Sequence, residues 1–297
     1  MSLTAYDFLR NALYGALIIG LIAPAVGIYL VQRRMSLIGD GIGHIALTGV
    51  AVGFLTGTSP VLTAVVVAAA GAITIELLRA YGRLSGDIAL ALLFYGGIAG
   101  GVLLVGLAGD KSNANLLSYL FGSLLTTSQQ DLAVIAVLGL VVLVVTVGAR
   151  PWMFAVCHDE EYAKVAGLPV RALNLALAVV AAVTVTVAMR AVGLLLVSAL
   201  MVIPVATAQQ VTRGFATTMW AAMAIGVTVS GSGVFVSFEL DVAPGAAIVV
   251  LALAVFVAVA VAAAAVRWLA RRRAGVPVDA PEPPDVILGP TAPSGRT

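Results

Sequence analysis

Residues 242–266, VAPGAAIVVLALAVFVAVAVAAAAV, form a run of 25 residues without a charged side chain. A helix rises about 1.5 Å per residue, so a run of this length spans the roughly 30 Å hydrocarbon core of a bilayer. Seven further stretches also lack Asp, Glu, Lys and Arg: 11–32, 41–75, 88–109, 132–149, 172–189, 191–212 and 214–238. The sequence therefore predicts an all-α, polytopic membrane protein.

The composition supports this fold class and excludes several functions. Hydrophobic residues make up 61% of the chain and charged residues 10%, with a mean hydropathy of +1.11, whereas soluble domains carry about 25% charged residues. The single cysteine, Cys157, excludes internal disulfides and cysteine-based metal clusters. No G-x-x-x-x-G-K-[ST] motif and no catalytic arrangement of Ser, His and Asp is present, so we expect a transport component rather than an enzyme.

The number of spans follows from the length of the uncharged stretches. The stretch 41–75 is too long for one crossing, and Gly57-Thr58-Ser59-Pro60 predicts a turn within it. This gives nine predicted spans, or eight if one segment is re-entrant or lies in the interface. Residues 1–273 are expected to form one transmembrane domain. The Pro-rich residues 274–297 have little apolar content and are expected to form a disordered cytoplasmic tail.

The orientation is predicted from the distribution of Lys and Arg, which favour cytoplasmic loops. With nine alternating spans and the C-terminus inside, only Arg10, Lys111 and Arg190 fall outside. The basic residues of the other loops and of the C-terminal cluster fall inside: Arg33, Arg34, Arg79, Arg83, Arg150, Lys164, Arg171, Arg213, Arg267, Arg271, Arg272 and Arg273. This asymmetry supports the count of nine spans and predicts a multi-pass membrane protein with its N-terminus outside and its C-terminus in the cytoplasm.

Ionisable side chains within spans are candidates for function because their insertion costs roughly 2.5–3.5 kcal/mol. Asp40 and His44 are four residues apart, so they share one face of a helix and could bind a divalent cation. The alternative is structural: Asp40 would stabilise the start of the helix, and His44 would be a hydrogen-bonded buried imidazole. Glu76 and Arg79, three residues apart, are predicted to form an ion pair.

The longest internal loop between spans, residues 150–171, contains a second candidate site. Asp159, Glu160 and Glu161 predict the start of a short helix, and Gly167 and Pro169 predict its end. The loop is either an ordinary amphipathic connector or a docking helix for a cytoplasmic partner. The second interpretation better explains why a compact chain retains so long a folded loop.

Several segments, taken together and in order, resemble the permeases of zinc and manganese ABC importers over about residues 10–268. Gly39-Asp-Gly-Ile-Gly-His-Ile-Ala-Leu-Thr-Gly-Val-Ala is similar to the family pattern Gly-Asp-x-x-x-His-x-x-x-x-Gly-x-Ala. Asp159-Glu-Glu-Tyr-Ala-Lys-Val-Ala-Gly-Leu-Pro is similar to the cytoplasmic coupling loop of that family. The segments starting at Leu120, Val192 and Leu240 are similar to its external segment, its long apolar signature and the start of its last span.

The resemblance implies a type II ABC importer-like fold that works as a homodimer. Its expected partners are two cytoplasmic ATP-binding subunits and an extracytoplasmic solute-binding protein. It implies Asp40 and His44 as ligands of transported Zn²⁺, Mn²⁺ or Fe²⁺, with no permanently bound cofactor. It also implies that Asp159, Glu160, Glu161, Ala163 and Gly167 couple the permease to the ATPase. The alternative left open is a secondary metal-ion transporter driven by an ion gradient.

Overall fold

Eleven α-helices form the secondary structure of the residues that the computed structural model describes, which are 7–82, 86–108 and 129–273. No strand occurs within these ranges, which agrees with the all-α prediction. The tail at 274–297 lies outside the described residues. The helices are α1 (Asp7–Gln32), α2 (Ile38–Thr56), α3 (Pro60–Ala80), α4 (Gly86–Ala108), α5 (Gln129–Gly148), α6 (Arg150–His158), α7 (Glu160–Val165), α8 (Val170–Val192), α9 (Leu194–Gln209), α10 (Phe215–Leu240) and α11 (Pro244–Arg273).

Seven of these helices are long and apolar enough to cross a membrane, namely α1, α2, α3, α4, α8, α10 and α11. Helices α5 and α6 form an eighth candidate that is bent by 65°. Pro151 lies in the first turn of α6, just after this bend, where its missing N–H costs no helical hydrogen bond. The described residues therefore contain seven or eight candidate spans.

The difference from the nine predicted spans lies in the stretch 191–212. Gly193 has a φ of 93° and separates α8 from α9. This leaves α9 with 16 residues, or about 24 Å of helix, which is shorter than a typical crossing. The length of the apolar stretch alone did not reveal this break.

The turn predicted at residues 57–60 is confirmed. Helix α2 ends at Thr56 and is capped by Gly57, which adopts the left-handed conformation with a φ of 67°. Helix α3 begins at Pro60, whose fixed φ suits the first helical position. The two helices are therefore joined by only three residues and pack against each other.

Helix α1 occupies the centre of the bundle and packs against α5, α8, α9 and α10. A Cβ atom at Gly20 would lie 2.5 Å from the carbonyl oxygen of Gly226, so α1 and α10 touch backbone to backbone. The buried Tyr29 hydroxyl donates a hydrogen bond of 2.6 Å to the carbonyl of Thr146 on α5. Helix α2 packs against α3, α4, α8 and α9.

Candidate functional site

Asp40 and His44 lie in the first two turns of α2, and both are partly buried. The helix confirms that they share one face. Leu37, at the N-cap position, makes no side-chain capping bond, and Asp40 has no ion pair among the described residues. Asp40 is thus an acidic group in the first helical turn without a partner that would neutralise it.

The imidazole of His44 is held by α4. Its ring meets that of Phe94 edge-on, with 4.7 Å between the ring centroids and an interplanar angle of 78°. Its Nδ1 atom is buried and has no hydrogen-bond partner in the described part of the chain. A buried nitrogen without a partner is costly, which argues against the alternative of a satisfied structural histidine. The contact with Phe94 therefore orients the imidazole, while its Nδ1 atom remains without a hydrogen-bond partner in the described residues.

Two glycines, Gly97 on α4 and Gly39 on α2, let neighbouring helices approach α2 on two faces. A Cβ atom at Gly97 of α4 would lie 2.6 Å from the carbonyl carbon of His44. The Thr48 hydroxyl fixes the same contact with a hydrogen bond of 2.8 Å to the Gly97 carbonyl. On another face, a Cβ atom at Gly39 would lie 3.5 Å from the sulfur of Met201 on α9. The pair therefore lies on a helix whose position is set by close contacts with α4 and α9.

The described residues contain no cluster of three or more His, Cys, Asp or Glu side chains able to hold a metal ion. Asp40 and His44 are two donors, and divalent transition-metal ions in proteins take four or more ligands. A cation held by this pair needs further donors from polar groups of other types, from a second copy of the chain or from water.

The second predicted site forms the short helix α7. The Asp159 carboxylate accepts a hydrogen bond of 2.9 Å from the backbone N–H of Tyr162, and so it caps the helix. Gly167 has a φ of 79° and follows the helix end. Ala163 is fully buried against Val156 and Val170. The predicted start and end of this helix are confirmed.

The outer surface of α7 carries both charged and apolar side chains. Glu161 is exposed, as are Tyr162, at 68% of its surface, and Val165, at 88%. Tyr162 and Val165 are three residues apart, so they share one face of α7. Ala163 therefore anchors the helix to the bundle, whereas Glu161 lies on the side that remains free.

Glu160 joins α7 to the ends of the spans through a set of charged and polar side chains, here called the basal cluster. Arg33 lies 3.8 Å from Glu160 and donates a hydrogen bond of 2.6 Å to Asn174 of α8. Glu160 also forms an ion pair of 3.1 Å with Lys164. The basal cluster consists of Arg33, Glu76, Arg79, Glu160, Lys164 and Asn174.

Glu76 and Arg79 complete the basal cluster with the predicted ion pair. Two nitrogens of Arg79 contact the two carboxylate oxygens of Glu76 at 2.9 and 3.1 Å. Both residues also line a cavity of about 370 Å³ that reaches Glu160 and Asn174. The sequence predicted this local pair. It did not predict the contact between Arg33 and Asn174, for which the only sign was the polar Asn174 near the start of an apolar span.

Within the basal cluster, the contribution of Glu160 to the stability of the fold depends on pH. Burial raises the pKa of its carboxyl group, but Lys164, with Arg79 and Arg33 farther away, outweighs this and holds the pKa below its usual value. The ionised carboxylate therefore stabilises the fold at pH values above the pKa of the unfolded chain. This contribution is lost as the pH falls through the lower pKa of the folded state.

We expect Glu160→Gln to lower the thermal unfolding midpoint of the purified protein at neutral pH. The difference from the wild type should shrink as the pH falls through the lowered pKa of Glu160, below which both side chains are neutral. The matched control is Glu161→Gln, because Glu161 has no ion pair in the described residues and should show no such difference. Equal midpoints for Glu160→Gln and the wild type at neutral pH would contradict this role.

Comparison with known proteins identifies the family to which this chain belongs. The family described as ABC 3 transport matches residues 5–263, which is most of the chain. The chain belongs to the ABC 3 transport family. It is a permease component of an ABC transporter and not itself an enzyme. Membership of the ABC 3 transport family supports an ATP-driven permease over the alternative of a gradient-driven carrier.

Individual members of the ABC 3 transport family match along nearly their whole length. The chain is 32% identical over 245 residues to the manganese import system permease protein ScaB of Streptococcus parasanguinis, covering 82% of this chain and 86% of ScaB. A Haemophilus influenzae protein named "Probable iron transport system membrane protein" is 32% identical over 241 residues, covering 81% of this chain and 88% of that protein.

A solved structure supports the same assignment at the level of the fold. The structure of PsaBC from Streptococcus pneumoniae in complex with Fab contains a chain that is 30% identical to this one. The two superpose with a TM-score of 0.78, and the match covers 86% of this chain and 92% of that chain. The bundle described above is thus the fold of an ABC permease.

Proposed function

We propose that this chain is the membrane-spanning permease of an importer of divalent metal ions, and that Asp40 and His44 bind the ion within the membrane. The observation that carries the proposal is this pair, an unneutralised carboxylate and an imidazole with a free buried nitrogen on one face of α2. A carboxylate oxygen with an imidazole nitrogen suits Mn²⁺, Fe²⁺ and Zn²⁺. The proposed cargo is therefore one of these three ions, transported rather than permanently bound.

A homodimer supplies the donors that one copy lacks. Two copies related by a twofold axis would place two carboxylates and two imidazoles around one pathway. Support comes from the absence, in the described residues of one protomer, of any third His, Cys, Asp or Glu near the pair. We propose that the full site forms between two copies of Asp40 and His44.

The proposed architecture is that of a type II ABC importer in the bacterial plasma membrane. Helix α9 would be the ninth, shorter crossing, in addition to the seven long helices and the bent pair α5–α6. The basal cluster and α7 would face the cytoplasm, in line with the preference of Lys and Arg for that side. The N-terminus would then lie outside, and residues 274–297 would form a cytoplasmic tail.

An ATP-binding subunit is proposed to dock on α7, and a solute-binding protein to deliver the ion from outside. The exposed Glu161, Tyr162 and Val165 offer the docking surface. From there Glu160 contacts Arg33, which follows α1, and Arg33 contacts Asn174 on α8. This path joins the surface of α7 to two spans and would transmit ATP-driven movement of the partner.

The proposed function is tested by metal uptake into proteoliposomes that contain the permease, its ATPase and the solute-binding protein. We expect uptake of at least one of Mn²⁺, Fe²⁺ and Zn²⁺ that requires ATP inside the liposome. Dissipating ion gradients with ionophores should leave the initial rate unchanged. Uptake that continues without ATP and stops with an ionophore would instead support a secondary transporter.

Charge reversal on α7 is expected to release the ATPase. In Glu160→Lys/Glu161→Lys, the surface offered to the ATPase changes by four charge units, and Glu160 also loses its contacts with Arg33 and Lys164. We expect the recovery of the ATP-binding subunit with the tagged permease to fall at least about tenfold. The control is Glu239→Lys, an exposed acidic side chain in the last turn of α10 and outside α7. Unchanged co-purification of the double variant would contradict docking on α7.

A further inference from the structure

A second cavity, of about 220 Å³, adjoins the basal cluster and is here called the interfacial cavity. Its wall is formed by the turn between α1 and α2 and by parts of α2, α3, α4 and α8. The charged residues of the wall are Arg33, Arg34, Glu76 and Arg79, and three arginines with one glutamate give a net charge of +2. This charge attracts an anion and repels a divalent cation. The interfacial cavity is therefore suited to a ligand other than the transported metal ion.

The charged and apolar side chains of the interfacial cavity are separated along the helices. Arg33 and Arg34 follow the end of α1, and Arg79 lies in the last turn of α3. Ala72 lies seven positions before Arg79, which places it about 10 Å farther along α3. The apolar part of the wall consists mainly of Ile38, Ile42, Ala72, Ile75, Leu90 and Leu93. A phospholipid has the matching polarity, with an anionic phosphate at one end and hydrocarbon at the other.

The interfacial cavity lies between two helices that face outward from the bundle. Helices α3 and α4 both pack along α2 but make few contacts with each other. Their outward faces carry exposed apolar side chains, such as Leu77 at 41% and Leu92 at 55% of their surface. Such faces are typical of helices that contact lipid. An acyl chain can therefore enter the cavity between α3 and α4.

Arg34 supplies the positive charge that is free to bind a ligand. Its side chain is exposed and makes no hydrogen bond or ion pair within the described residues. The other two arginines of the cavity are engaged, since Arg79 pairs with Glu76 and Arg33 donates a hydrogen bond to Asn174. A phosphate group at Arg34 would give this guanidinium the anionic partner that it lacks.

The backbone at Arg34 gives no reason for an arginine at this position. Its φ is 58°, and its N–H donates a hydrogen bond of 3.0 Å to the Val31 carbonyl. The next N–H, of Met35, donates a hydrogen bond of 2.8 Å to the Leu30 carbonyl. This pair of bonds around a left-handed residue is the helix ending at which glycine is preferred. The side chain of Arg34 is therefore retained against the preference of the turn.

We propose that the interfacial cavity binds an anionic phospholipid of the cytoplasmic leaflet, with its phosphate at Arg34 and one acyl chain between α3 and α4. The choice of leaflet rests on the proposed function, which places the basal cluster in the cytoplasm, whereas the binding itself does not. Basic pockets between membrane helices on this side commonly bind anionic head groups. The volume of the cavity admits one part of a lipid chain and leaves the rest in the bilayer.

The first test titrates phosphatidylglycerol into the delipidated permease–ATPase complex in detergent and counts the bound lipids by native mass spectrometry. We expect Arg34→Gly to weaken this binding about fivefold, the effect of one basic group at the membrane surface. Arg34→Lys should bind like the wild type. The matched control is Arg213→Gly, which removes an exposed arginine from the loop between α9 and α10. Equal affinity of Arg34→Gly and the wild type for phosphatidylglycerol overturns the proposal.

The stability of Arg34→Gly separates loss of the lipid from loss of the fold. Because glycine suits the left-handed conformation, the lipid-free variant should unfold at the same temperature as the wild type or higher. Added phosphatidylglycerol should raise the unfolding midpoint of the wild type more than that of Arg34→Gly, since a ligand stabilises the state that binds it. An equal rise in both proteins contradicts binding at Arg34.

A second pair of variants tests the acyl chain. Ala72→Phe fills the apolar part of the interfacial cavity and should weaken phosphatidylglycerol binding at least about tenfold, because several methylene groups lose their buried position. Ala70→Phe is the control, since Ala70 is exposed on the same helix and does not line the cavity. Equal affinities of these two variants overturn the insertion of a chain between α3 and α4.

Two further ligands distinguish a lipid from other anions. Phosphatidylcholine, which has no net charge, should bind more weakly than phosphatidylglycerol, and equal affinity overturns the role of charge. Inorganic phosphate should not displace phosphatidylglycerol when compared with chloride at the same ionic strength, and displacement would show an anion site instead of a lipid site. None of these measurements contains metal ions or ATP, so their failure and the failure of the proposed metal import are distinguishable.

Discussion

Asp40→Ala and His44→Ala are each expected to lower ATP-dependent metal uptake by the reconstituted complex more than about 100-fold. Each substitution removes one of the two donors per protomer, and loss of a direct ligand should exceed the 10–100-fold effect of losing an indirect one. Both residues are partly buried in the first two turns of α2, and alanine favours a helix, so insertion and folding should persist. The measurement is the initial rate of uptake of Mn²⁺, Fe²⁺ and Zn²⁺.

Two comparisons make the result specific to metal binding. Asp40→Asn and His44→Gln keep the size and polarity of the side chains but remove the charge or the imidazole, and they should also lose uptake. Thr56→Ala, at the exposed far end of the same helix, should transport normally. Normal uptake in both Asp40→Ala and His44→Ala would show that the ion does not depend on this pair.

Features determined by neighbouring residues could be predicted from the sequence. The turn between Gly57 and Pro60 and the pair of Glu76 with Arg79 depend on residues at most three positions apart. The short helix after Asp159 likewise follows from its capping carboxylate and the glycine beyond its end. The face shared by Asp40 and His44 needed only the helical period.

Contacts between distant segments could not be predicted in this way. Arg33 and Asn174 are 141 positions apart, and nothing in either local sequence identifies the other as a partner. The edge-on contact of His44 with Phe94 requires the packing of α4 on α2. The short length of α9 could not be predicted for another reason. The apolar stretch shows hydrophobicity but gives no sign of the backbone break at Gly193.

These long-range contacts connect the basal cluster with α2. Helix α8 carries Asn174 of the basal cluster near one end and Val185 farther along, and a Cβ atom at Gly43 of α2 would lie 3.4 Å from Val185 Cγ1. One rigid helix therefore reaches from the neighbourhood of α7 to the turn before His44. Movement of α7 by a docked ATPase would act on the proposed cation site through α8, with Arg33 as the link.

The second large effect is expected from substitution of Gly97, where α4 packs against the backbone of His44. A Cβ atom at Gly97 would lie 2.6 Å from the carbonyl carbon of His44 and 2.7 Å from the nitrogen of Ile45. Backbone atoms cannot move aside as a flexible side chain can, so α4 and α2 must separate. We expect Gly97→Ala to destabilise the protein by about 1–3 kcal/mol, the usual cost of overpacking.

The neighbouring Gly96 provides a control on the same helix, because a Cβ atom there would meet nothing within 4 Å. Gly96→Ala should be neutral or stabilise the protein by up to about 1 kcal/mol through helix propensity. Thermal unfolding in detergent should therefore separate the variants by several degrees, at about 2–4 °C per kcal/mol. Because the displaced backbone belongs to His44, Gly97→Ala should also weaken Mn²⁺ binding, whereas Gly96→Ala should not. Equal unfolding midpoints would show that α2 and α4 are less closely packed than this contact requires.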